Sequence, residues 1–174
     1  GYDVLVLETA LSSHLINKLE QELSDVTFSR IDSDTIDKLI AKDEEVPSKL
    51  SKEEEEALKP LIEGVVNTKT YTVQFESLSE KDAPIQITQS EFMRRMMEMQ
   101  RVGGQGGMMG NFPESYNLVV NSNHSLVGKI LKEDDADTQK KLAKQAADLA
   151  LLSVGLLKGK DLTEFVNRSI EIIE

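Results

Sequence analysis

Apolar and polar positions along the chain follow three periods, and each points to a different kind of element. Residues 2–7, YDVLVL, are an apolar run interrupted only by Asp3, the pattern of a strand covered on both faces. SSHLINKLEQEL follows, with Ser12 or Ser13 as N-cap and Leu15, Ile16, Leu19 and Leu23 on one helical stripe. VTFSRI reads as a second short strand, and Asp32 or Ser33 caps a further helix in DTIDKLIAK. Strand, helix, strand, helix makes a small βαβα piece with little core of its own, the tail of a larger α/β domain. Between Asp43 and Glu56, seven acidic residues, two lysines and Pro47 form a polar linker that runs into a new helix. Ser51 with Glu54 predicts a capping box for it. Ala57, Leu58, Leu61, Ile62, Val65 and Val66 supply its apolar face, and Pro60 predicts a kink or break. A domain boundary is expected near residue 46, giving 1–46 and 47–174.

Past residue 70 the period drops to two. Tyr71, Val73 and Phe75 alternate inward in TYTVQFES, predicting a half-buried antiparallel strand. Ile85 and Ile87 repeat the alternation, and YNLVVN is a third strand. A helix from Asn123 carries Leu126, Val127, Ile130 and Leu131. Asp137 is expected to open a long helix, Gly159 to stop it, and DLTE at Asp161–Glu164 to cap the last one. The expected class is α+β: the βαβα piece, then a mixed domain with a three-stranded sheet, an amphipathic helix and a C-terminal helical hairpin.

The amphipathic helix has an unusual face. All six methionines fall between Met93 and Met109. At about 100° per residue, Phe92, Met93, Met96, Met97 and Met99 share an arc of about 160°, opposite Arg94, Arg95, Glu98 and Arg101. Ser90 is placed as its N-cap, and Gly103 and Gly104 end it. Methionine fills irregular gaps in cores, but four thioethers specify packing poorly. The glycine-rich flank adds Met108 and Met109. Two readings stay open at this level, core filling and a soft face that repacks against many apolar partners. A third is a Met-x-x-Met-Met-x-Met cluster for Cu(I), although the segment holds no cysteine or histidine.

The final hairpin carries apolar residues on two faces. LALLSVGLL (149–157) is apolar almost all round, and Ala143, Ala146, Ala147, Ala150 and Gly155 leave room for a close helix. A surface helix of a small domain needs one apolar stripe. Self-association through a two-fold pair of hairpins, a dimeric four-helix bundle, is therefore expected. Its interface residues would be Leu142, Ala146, Leu149, Ala150, Leu152, Leu156, Phe165, Val166, Ile170 and Ile173.

Composition narrows the partners. A net charge of −11 repels phosphate backbones, and few aromatics leave no stacking platform, so nucleic acid is excluded as a general partner. No apolar run approaches a membrane span. Without cysteine there are no disulfides or thiolate metal sites. His14 and His124 sit near no triad pattern, and the Gly103–Gly110 cluster lacks the lysine of a phosphate loop. These residues hold no catalytic residues, no resident metal and no cofactor. The start at YDVLVL reads as a piece of a longer protein.

YDVLVLETALSSHLINKLEQ, RIDSDTIDKLI, the acidic helix and NSNHSLVGKIL together resemble the C-terminal part of the ninety-kilodalton heat-shock chaperones, in the bacterial manner. The resemblance spans nearly the whole chain. Ser122 stands where the family usually has proline, and the glycine-methionine stretch is longer than the family's. It implies that 1–46 end a middle domain and 47–174 are a dimerisation domain. ATP and Mg would act in an upstream domain, so this piece is not itself an enzyme. It further implies an ATP-dependent, cytoplasmic stress-response chaperone. Its partners would be a second copy and unfolded client proteins, held by Phe92, Met93, Met96, Met97, Met99, Met108 and Met109.

Overall fold

A computed structural model describes residues 4–7, 12–26, 28–35, 46–90, 92–94 and 114–173. The chain packs as two compact units, residues 1–30 and 31–174.

In the first unit, Ser12–Glu22 form helix α1, with Lys18 paired to Glu22 one turn on at 2.7 Å. The Phe28 amide donates to Glu20 Oε1 at 3.2 Å and folds the following segment back on the helix. Among the described residues the two expected strands do not form. Val4, Leu5, Val6 and Leu7 form no strand and are exposed, and neither do the described residues of 26–31. A covered strand needs hydrogen-bonded neighbours and a layer on each face; among the described residues this unit has neither. Most of the expected helix in DTIDKLIAK lies outside the described residues.

The second unit holds α2 (Lys52–Glu63), β1 (Tyr71–Glu76), β2 (Ile85–Thr88), β3 (Tyr116–Asn121), α3 (Ser125–Leu131), α4 (Ala136–Ser153) and α5 (Gly159–Ile173). The capping box of α2 forms as its sequence predicts: Glu54 N–H donates to Ser51 Oγ at 3.2 Å, and Ser51 N–H to Glu54 Oε2 at 2.8 Å. Pro60 neither breaks nor ends the helix. The carbonyl it leaves without a donor belongs to Glu56, and both residues are exposed, so water can serve it.

The sheet order is β1-β3-β2. β1 runs parallel to β3, from Tyr71 beside Tyr116 to Glu76 beside Asn121, and β2 runs antiparallel to β3. The antiparallel pairing expected for β1 is thus corrected: the chain leaves β1, lays β2 on the far edge, and returns through the middle. Alternation within one strand reports which face is buried and not which neighbour it takes. Val73, Ile85, Ile87, Leu118 and Val120 face the core with Leu58 and Ile62 of α2, Val127 and Ile130 of α3, and Ala143, Ala146, Ala147, Ala150 and Leu151 of α4. Short side chains let α4 sit close on the sheet.

Three buried polar residues end β3. The amide of Asn121 donates to Ser79 O at 2.8 Å, and its Oδ1 accepts from Asn123 N–H at 3.0 Å. Asn123 donates to Leu78 O at 3.0 Å and accepts the Lys49 N–H at 2.7 Å, and Ser122 donates to Glu55 at 2.8 Å. One turn thereby ties together the chain entering α2, the N-terminus of α2 and the β1–β2 loop. Helix α3 then starts at Ser125, with His124 Nδ1 accepting the Leu126 N–H at 3.0 Å as its cap.

Candidate dimer interface

Helix α4 begins at Ala136, just after Asp135 and one position earlier than the start expected at Asp137. Asp135 accepts the Thr138 N–H at 3.0 Å, and that backbone hydrogen bond, with its side-chain bond to Thr138 next, holds its carboxyl below the usual aspartate range. Gly155, and not Gly159, stops the helix: its φ of 71° reverses the chain while Leu156 N–H donates to Leu151 O at 2.8 Å. Gly159, at φ 58°, is the first residue of α5, so Asp161 lies in the first turn of that helix and does not cap it.

Two faces of α4 are occupied differently. Ala143, Ala146, Ala147, Asp148, Ala150 and Leu151 are buried against the chain's own core. Ala146 and Ala150, expected at a partner interface, are thus enclosed within the chain itself, where the shortest side chains admit the closest approach to the sheet. Leu142, Leu156 and Phe165 pack partly on the same core. The remainder point outward: Leu149 is 50% exposed, Leu152 39%, Val166 47%, Ile170 52% and Ile173 84%. Val166, Ile170 and Ile173 follow i, i+4, i+7 spacing and form one stripe on α5. No residue of α5 is fully buried.

Polar contacts join α5 to α4 beside the packing of Leu162 and Phe165 on the core. Asp148, 0% exposed, receives Lys144 Nζ at 2.6 Å on one oxygen and Arg168 Nη2 at 2.5 Å on the other. Arg168 Nε donates to Gln145 at 2.8 Å, and the Gln145 amide donates to Ser169 Oγ at 2.7 Å. Sequence reasoning passed over this network. Its one visible signal is a lone acid inside the apolar run AADLALL, since an unpaired buried carboxylate is too costly to keep.

For the methionine face, the structure describes its start. Residues 92–94 are helical, Met93 N–H donates to Ser90 Oγ at 3.4 Å and Arg94 N–H to Ser90 O at 3.1 Å, so Ser90 caps this turn. Phe92 is 69% exposed and Met93 is half-buried. Met96, Met97, Met99, Met108 and Met109 lie outside the described residues. Among the described residues no group of three or more His, Cys, Asp or Glu is arranged to hold a metal ion.

A profile of the Hsp90 protein family matches residues 1–174. The chain belongs to the Hsp90 family. It is 39% identical over 155 residues to a protein named chaperone protein HtpG from Porphyromonas gingivalis strain ATCC 33277, covering 87% of this chain and 23% of that relative. A chaperone protein HtpG from Bacteroides thetaiotaomicron is 29% identical over 240 positions, covering 99% of this chain and 35% of the relative. One from Bacteroides fragilis strain 638R is 30% identical over 244 positions with the same coverage. The chain therefore spans between 23% and 35% of the length of these Hsp90 relatives. Alignments of 240 and 244 positions against 174 residues mean that both Bacteroides proteins hold stretches without a counterpart here.

Proposed function

We propose that this chain is the dimerisation and client-binding part of an Hsp90-type molecular chaperone that assists protein folding under stress. The observation that carries the reading is the exposed apolar set Leu149 and Leu152 on α4 and Val166, Ile170 and Ile173 on α5, on a hairpin whose α4 is otherwise packed on the chain's own core. Exposed apolar surface of this regularity marks an association site. A second copy of the same hairpin fits it, because a two-fold axis lets the stripe cover itself. ATP and magnesium act in another part of the protein, so these residues hydrolyse no nucleotide. Among the described residues no helix is long and apolar enough to cross a membrane, and the proposed location is the cytoplasm.

Clients are held on the face that begins at Phe92 and Met93. Exposed Phe92 supports this reading, and thioether softness accounts for low sequence selectivity. The Cu(I) alternative has no supporting observation. Sedimentation equilibrium at micromolar concentration tests the dimer, and a monomer would end that reading. Met93→Ser combined with Met97→Ser tests the client face. Stability should stay within about 0.5 kcal/mol, as for surface changes, while suppression of aggregation of a denatured protein weakens. A large fall in melting temperature with holding activity intact would place these methionines in a core instead.

A further inference from the structure

Helix α5 carries most of the exposed stripe yet anchors no fully buried residue of its own. Its aliphatic contacts are non-directional and would tolerate sliding or rotation. The polar contacts would not. Arg168 engages two α4 residues with two different nitrogens, Nη2 on Asp148 and Nε on Gln145, and the neighbouring Ser169 takes the Gln145 amide. A planar guanidinium held at two points has one orientation. Asp148 is the centre of that arrangement, since its second oxygen is neutralised by Lys144 from its own helix.

We infer that Asp148 is a positioning residue for self-association. By holding Arg168 it sets the rotation and height of α5 on α4, and with them the spacing of Leu149 from Val166 and Ile170, without meeting the second copy itself. Leu149 is the next residue in the chain, about 100° further round the same helix. The carboxylate that docks α5 and the leucine offered to a partner are therefore rigidly related. In some proteins a buried ion pair contributes more to specifying one arrangement than to net stability, which is the use made of this one. The inference rests on the dimer reading above.

The test uses the 174-residue chain with Asp148→Asn, close in shape but uncharged, and Arg168→Gln as an independent break from the other side. Each should raise the dimer Kd about tenfold or more. In each, amide exchange in α5 should accelerate by a similar factor while α2 and β3 stay within about twofold. Arg168→Lys, which keeps the charge and loses the fork, should fall between wild type and Arg168→Gln. Adding Ile170→Ser separates positioning from general weakening: a stripe already lost cannot be misplaced, so the two effects on Kd should combine to less than their product. Unchanged Kd and unchanged α5 exchange in Asp148→Asn and Arg168→Gln would overturn the inference, as would full multiplicativity with Ile170→Ser. A monomeric wild-type chain would remove the dimer reading and the role in association together. Faster α5 exchange in the Asp148→Asn monomer would still establish the lock.

Discussion

Leu149→Glu places a charge in the middle of the exposed stripe. The side chain is 50% exposed on the outer face of α4, so the substitution takes little from the chain's own core. Glutamate and leucine also have similar helix propensity. Monomer stability should fall by no more than about 1 kcal/mol, the worth of the half already covered. The dimer behaves differently. Covering a fully exposed leucine is worth about 1.5–3 kcal/mol, so covering the remaining half is worth about 1 kcal/mol. A two-fold interface uses the position twice, which makes about 2 kcal/mol per dimer. Burying two unpaired charges in the interface adds a further penalty of at least about 2 kcal/mol. The sum, about 4 kcal/mol, corresponds to a Kd raised on the order of a thousandfold. Leu149→Ala isolates the apolar part and should cost roughly thirtyfold, from the same 2 kcal/mol. Sedimentation equilibrium across a concentration series reads both values, with thermal melting as the control for folding. A Leu149→Glu chain that associates with wild-type affinity would refute the stripe as the interface. One that melts far lower as a monomer would show that Leu149 belongs to the core.

Asn123→Ala removes the acceptor for Lys49 N–H and the donor to Leu78 O inside a buried turn. It should cost about 2–4 kcal/mol and lower the melting temperature by roughly 5–15 °C, read by calorimetry. Each chain carries −11, so two of them repel; raising salt from about 50 to about 500 mM should tighten the dimer, seen as a lower Kd in sedimentation. Asp135 has a folded pKa depressed below its reference of 3.8. Its contribution to α4 is therefore complete above that value and is lost as pH falls through the folded pKa. Amide exchange in the first turn of α4 should rise over that acid window in wild type and be insensitive to it in Asp135→Asn.

Much of the fold was legible from local chemistry. Ser51 and Glu54 cap α2 because the two groups that satisfy each other are three residues apart, and no distant contact is needed. The alternation around Val73, Ile85, Ile87 and Leu118 locates the strands, and the doubled apolar face of LALLSVGLL marks a hairpin with a surface to spare. The exposure of Phe92 could be suspected from its place in a thioether-rich helix, since an apolar face of that kind suits a soft contact surface as well as a core.

Tertiary structure decided the rest. Inward alternation is the same for parallel and antiparallel partners, so only the return of β3 between β1 and β2 settled the pairing. YDVLVL has strand propensity but no neighbouring strand among the described residues, and propensity without a hydrogen-bonding partner does not make a strand. Ala146 and Leu149 look equally suited to an interface in a one-dimensional pattern; the sheet chose Ala146 for the core because a methyl group allows the closest helix approach. Asp148 shows the limit most clearly. Its partner Arg168 is twenty positions away on another helix, and a sequence can mark a charge as out of place without naming the charge that answers it.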